Sequence, residues 1–107
     1  MFVLMKEHRF SWPVAFDVPM EHGARVAQGF TARFRVLPQS RIEDMSLRPA
    51  ELMAEAVVGW EGVLDEAGQP VPFSAATLAD LLDVPFILVG LAQAYADAVS
   101  GAGARKN

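Results

Sequence analysis

Few residues in this chain have the type and spacing that chemistry demands, and each such set also has a plain structural use. Asp65 and Glu66 stand side by side, two residues before Gly68. Paired carboxylates near a glycine suit calcium binding or general-acid work. A helix–loop–helix calcium site needs a longer loop, with acids at fixed positions and a closing glutamate, and this run lacks them. Asp also favours turns, because its side chain bonds the neighbouring backbone, so the pair reads as a turn. His8 and His22 have no ligand-type partner four residues on, and zinc asks for three or four convergent ligands. There is no cysteine, which excludes disulfides and thiolate metal sites. Ser74 lacks the flanking glycines of a nucleophile elbow, and no glycine loop is built to cradle phosphate. The residues point to a chain that is not an enzyme and that carries no catalytic residue, metal or cofactor.

Binding chemistry has better candidates. Phe30, Phe34 and Arg33, Arg35 interleave, and aromatic–arginine platforms can stack nucleobases. Strict alternation places the two types on opposite faces of a strand, so core aromatics opposite solvated arginines is the expected arrangement. Phe86, Ile87 and Val89 are different. They make the start of a helix apolar nearly all round, where a surface helix needs one stripe. Either that helix is central in the core, or its second face meets another chain. Trp60 is a core anchor or an interface hot spot. These four residues are the candidates for partner contact.

The elements that must position them follow from periodicity. Phe10, Trp12, Val14, Phe16 and Val18 alternate with polar or small residues, as in a strand with one buried face. Pro13 cannot donate to a ladder, which implies an edge strand or a bulge. A turn at Glu21–His22–Gly23 leads to a second alternating run through Phe30, Ala32, Phe34 and Val36, which makes a β-hairpin. Phe2–Met5 either extends the first strand or adds a third. Ser40 is placed to cap a short helix to Met45 with Glu43 as its partner. Beyond Pro49, Leu52, Met53, Ala56, Val57, Trp60 and Leu64 recur at helical spacing. Asp65–Gly68 then turns the chain, Pro70 and Pro72 hold it extended, and Ser74 caps a helix carrying Leu78, Leu81 and Leu82. Pro85 ends that element or starts the last helix, whose stripe is Leu88, Leu91, Ala92, Tyr95 and Val99. Residues 100–107, Gly/Ala-rich with a basic end, read as a disordered tail. The fold class is α+β: an antiparallel hairpin, with three strands as an option, on three to four C-terminal helices in a single domain over residues 1–99.

Length and charge bound the rest. At 107 residues one domain is the default. The longest apolar run, from Val84 to Ala92, is far short of the roughly 20 residues that span a bilayer, so no membrane role is expected. The net charge of −4 hides an asymmetry. Residues 1–48 carry seven Lys/Arg and five Asp/Glu, whereas residues 49–107 carry two and eight. Overall acidity argues against nucleic acid, which needs a sustained basic face. Opposite charge on the two halves is either solvated helix surface or a pair of complementary faces for self-association or docking.

Two stretches carry a resemblance. Trp60-Glu61-Gly62-Val63 followed by Asp65-Glu66-x-Gly68-x-Pro70-Val71-Pro72-Phe73-Ser74, together with Phe30-Thr31-Ala32-Arg33-Phe34-Arg35-Val36-Leu37-Pro38-Gln39-Ser40 and the ending Arg105-Lys106-Asn107, resembles small tail assembly chaperones of long-tailed phages and prophages. The resemblance implies a non-catalytic protein of the bacterial host cytoplasm. Such a protein coats the long helical tape measure protein, recruits tail tube subunits, self-associates and is missing from the mature virion. It also implies a longer product made by frameshifting. Lys106–Asn107 encoded as AAA AAC, after an Arg codon ending in A, spells a slippery heptamer, and AAG at Lys106 excludes it. The competing expectations are another minor tail or head-completion protein, and a small-molecule-binding α+β domain.

Overall fold

The computed structural model describes residues 1–101. An 11-residue strand β1 (Arg9–Pro19) and its partner β2 (Arg25–Arg35) form a long antiparallel hairpin, in register from Arg9–Arg35 to Pro19–Arg25. Their connection is a 3-10 turn over Glu21–Gly23, in which His22 and Gly23 both take positive φ and the Met20 N–H donates to the Ala24 carbonyl at 2.8 Å. The chain then makes a short α1 (Gln39–Ile42) and α2 (Pro49–Ala56) before returning as β3 (Val57–Glu61). β3 pairs antiparallel with Thr31–Phe34, giving the sheet order β1-β2-β3. β1 is therefore an edge strand, which is how Pro13 is tolerated. The remaining elements are α3 (Ala75–Leu82) and α4 (Pro85–Ser100).

The α+β class expected from the periodicity is the observed one, and two parts of it differ. The third strand is not Phe2–Met5, which has no regular structure, but Val57–Glu61. The helix expected to run through Trp60 stops at Ala56. Val57 and Val58 are β-branched and Gly59 is the weakest helix former after proline, so the helical stripe meets unfavourable propensity at that point. The Arg35 Nε–H donates to the Glu55 carbonyl at 2.8 Å, which occupies an acceptor at the end of α2. Gly59 lies opposite Arg33 in the ladder, and a Cβ there would touch the Arg33 side chain at 3.4 Å.

The other local signals divide. Asp65 Oδ1 accepts from the N–H groups of Ala67 and Gln69, both at 2.9 Å, and Gly68 takes φ +78°. The carboxylate thus builds the turn, and Leu64 bridges to Pro70 across it. Ser74 caps α3: its hydroxyl accepts from the Thr77 N–H at 3.1 Å while Thr77 Oγ1 accepts from the Ser74 N–H at 2.9 Å. Ser40 does not cap α1. Pro38 holds the cap position, Ser40 lies inside the helix, and the helix ends before Met45. Glu51 instead reaches back to the Arg48 N–H at 3.0 Å and steadies the start of α2. The tail expected over residues 100–107 does not include Ser100, which is the last residue of α4, or Gly101, its left-handed cap. Residues 102–107 lie outside the described residues.

One face of the sheet is covered. Val14, Ala32 and Phe34 from the hairpin meet Met53 and Ala56 of α2, Val57 of β3, Leu78 and Leu82 of α3, and Leu91, Ala94 and Tyr95 of α4. α4 lies along β1 and comes near it at Gly90. A Cβ there would stand 3.1 Å from the Ala15 carbonyl oxygen and 3.2 Å from Phe16. Glycine lets helix and strand come this near without either giving way.

Candidate binding surface

The four residues singled out for partner contact do not form one surface. Trp60 lies on β3, half-buried. Its indole N–H donates to the Val71 carbonyl at 2.8 Å, and its ring meets Phe73 edge-on at 5.0 Å. It pins the Pro70–Phe73 segment to the sheet, and this accounts for the aromatic and the Pro-Val-Pro-Phe run together. Phe86, half-buried, packs on Phe16 of β1 at 5.8 Å, and Ile87 packs against the core. Much of the all-round apolar character of α4 therefore serves two neighbours inside the domain, β1 on one side and the core on the other. Val89 points outward and is 67% exposed.

A concave surface lies elsewhere, between α2, α3 and β3. It is an open groove of about 790 Å³. Ala50 and Ala54, one turn apart on α2, face Ala75 and Ala79, one turn apart on α3, and these small side chains leave the space. Val57, Val58, Phe73, Leu78 and Leu82 supply apolar lining. Carboxylates stand along both walls: Glu51 and Glu55 from α2, Asp80 and Asp83 from α3.

The two walls differ electrostatically. On α2 the acids are already engaged. Glu55 is held by a two-pronged contact with Arg41, with Nε at 3.1 Å from Oε1, and by Arg35 at 4.0 Å. The Arg41 hydrogen bonds, acting against the burial penalty and joined by the charges of Arg41 and Arg35, hold its carboxyl below the usual range. Glu51 is lowered by the Arg48 backbone N–H and then by the Arg48 side chain. On α3, Asp80 and Asp83 form no ion pair among the described residues. They also sit at the carboxyl end of the helix, where the dipole is negative, and the last turn carries no base. The α3 wall is thus a line of uncompensated negative charge beside an apolar floor. Arg9, paired with Glu7, also lines the groove.

The sequence reading missed this groove. Its one visible trace was the excess of acid after residue 49. Among the described residues no group of three or more His, Asp or Glu could hold a metal. Asp44, the remaining lowered carboxyl, is held down first by the Ser46 hydroxyl in a surface turn. No single helix among them is long and apolar enough to cross a membrane, and α3 and α4 bend by 104° where they join.

No protein-family model, curated protein or solved structure matches this chain.

Proposed function

We propose that this chain is a non-catalytic phage tail assembly chaperone. It binds the tape measure protein and helps to recruit tail tube subunits in the host cytoplasm. The observation that carries the reading is the α2–α3 groove. An apolar floor, alanine walls and an acidic edge suit an amphipathic helix whose apolar stripe is flanked by Lys or Arg, bound in the helix-in-groove mode. A long helical client offers such stripes repeatedly. The sequence patterns at Phe30–Ser40 and Trp60–Ser74 supply the link to tail assembly, and the groove supplies a physical means of holding the client.

Co-expression with the tape measure protein of the same genome tests the reading. The chaperone should raise the soluble fraction of that protein, and Ala79→Trp, which fills the groove from an exposed position, should remove the effect. A tape measure protein no more soluble with the wild-type chain present would overturn the proposal. Mass spectrometry of purified virions separates it from a minor tail or head-completion role, because a chaperone is missing from the particle and a structural component is retained.

A further inference from the structure

The two rims of the α2–α3 groove carry different charge, and the order of residues along the chain is the reason. No Lys or Arg stands between Arg48 and Arg105, so α3 and the chain beside it have no base of their own. Asp80 and Asp83, three positions apart and therefore on one side of the helix end, are both exposed in the groove lining and form no ion pair among the described residues. The α2 rim is served by bases that precede it. Arg35 and Arg41 meet Glu55, and Arg48 meets Glu51. Three arginines against two glutamates leave that rim without a negative surplus. Arg9, the base in the lining itself, is held by Glu7 at 3.1 Å.

We infer that the groove reads the direction of the helix it binds, and that it selects an apolar stripe with Lys or Arg along one flank only. This rests on the groove being the client's site, and adds which way the client lies in it. A helix resting on its apolar stripe has a left and a right flank, and turning it end for end exchanges them. Between two equally acidic rims, a basic amphipathic helix would sit as well one way as the other. Here the free carboxylates stand on α3 alone. A helix basic on one flank meets Asp80 and Asp83 in one direction. Reversed, it sets its bases against the arginines of α2 and leaves both aspartates facing its neutral flank, so the wrong direction is opposed as well as unrewarded. The alanines of the two walls are silent on direction; they leave room for large apolar residues on the client's stripe. Charge thus sets direction and apolar burial sets residence, so added salt erases the first before the second. Successive chains on one long helix with such a flank would all face the same way.

Two synthetic peptides of identical composition test this, each about two heptads long with Leu at a and d. One carries Lys at every e position and Gln at every g; the other has them exchanged, which moves the bases to the opposite flank. A nitroxide at either peptide terminus broadens the nearby amide signals of the isotope-labelled full chain. The signals broadened by an N-terminal label on one peptide should be those broadened by a C-terminal label on the other. The preferred direction should hold about tenfold over its reverse at low salt and fade at high salt while the peptide stays bound. Asp80→Asn with Asp83→Asn should cut the preference below about threefold. Both peptides lying the same way, or each lying both ways at low salt, would overturn the inference and leave the groove standing as the client site. Peptides that do not bind, or that broaden signals outside the α2–α3 groove, would overturn the client site and the inference with it.

Discussion

Tyr95→Phe isolates one buried hydrogen bond that ties the last helix to the end of the sheet. β2 stops at Arg35, and Val36 still finds a partner in the His8 carbonyl, but the N–H of Leu37 turns inward beyond the reach of any strand. It donates instead to the Tyr95 hydroxyl at 2.8 Å, between residues only 4% and 6% exposed and 58 positions apart. Phenylalanine keeps the ring and its edge-on contact with Phe34 at 5.6 Å. What changes is that the Leu37 N–H is left buried without an acceptor. An orphaned buried donor costs about 1–3 kcal/mol. In a domain of this size each kcal/mol lowers the melting temperature by about 4–8 °C. Total stability of about 5–15 kcal/mol leaves the variant folded. Urea unfolding followed by far-UV circular dichroism should show a lower midpoint with an unchanged slope. A loss below about 0.5 kcal/mol would mean that the Leu37 N–H finds another partner, and the account of how α4 is fastened would be wrong.

Three further outcomes follow from the same geometry. Gly29→Ala would place a Cβ 2.5 Å from the Val14 carbonyl oxygen, a backbone atom that cannot turn aside, so thermal denaturation should show a loss of at least about 2 kcal/mol. Ser74→Ala removes the acceptor for the Thr77 N–H and should cost about 1 kcal/mol in urea unfolding. Acid should also destabilise the chain. Glu55, Glu51 and Asp44 have folded values below their ordinary ones, so their contribution is full above the unfolded values and is lost as pH falls through the folded ones. Melting temperature should hold from neutral pH to about 5 and decline below it, and Glu55→Gln should make that decline shallower.

Much of the scaffold could be read from residue order, and the gaps have physical causes. The hairpin was legible because Phe10–Val18 and Phe30–Val36 alternate without a break, and the Asp65–Gly68 turn and the Ser74 cap because their chemistry is local. β3 was not legible as a strand. Leu52, Met53, Ala56, Val57, Trp60 and Leu64 satisfy a helical period, and a short apolar run fits either state by periodicity alone. The Val57–Val58–Gly59 triplet was the signal against a continuous helix. The groove was hidden for another reason. Its walls are alanines from two helices more than 20 positions apart, and an alanine row says nothing until the helices stand side by side. Large residues such as Trp60 and Phe86 draw attention in a sequence, yet both mainly pack against neighbours within the fold.

In the proposed function, the α2–α3 groove holds a basic amphipathic helix of the tape measure protein. Fluorescence anisotropy of labelled tape measure segments, titrated with this chain at several salt concentrations, tests this binding. Binding should be saturable, weaken as salt rises and drop about tenfold or more with Asp80→Lys and Asp83→Lys together, while Val89→Asp on α4, outside the groove lining, should leave it unchanged. Binding that ignores the α3 charge reversal, or that is lost with Val89→Asp, would contradict it.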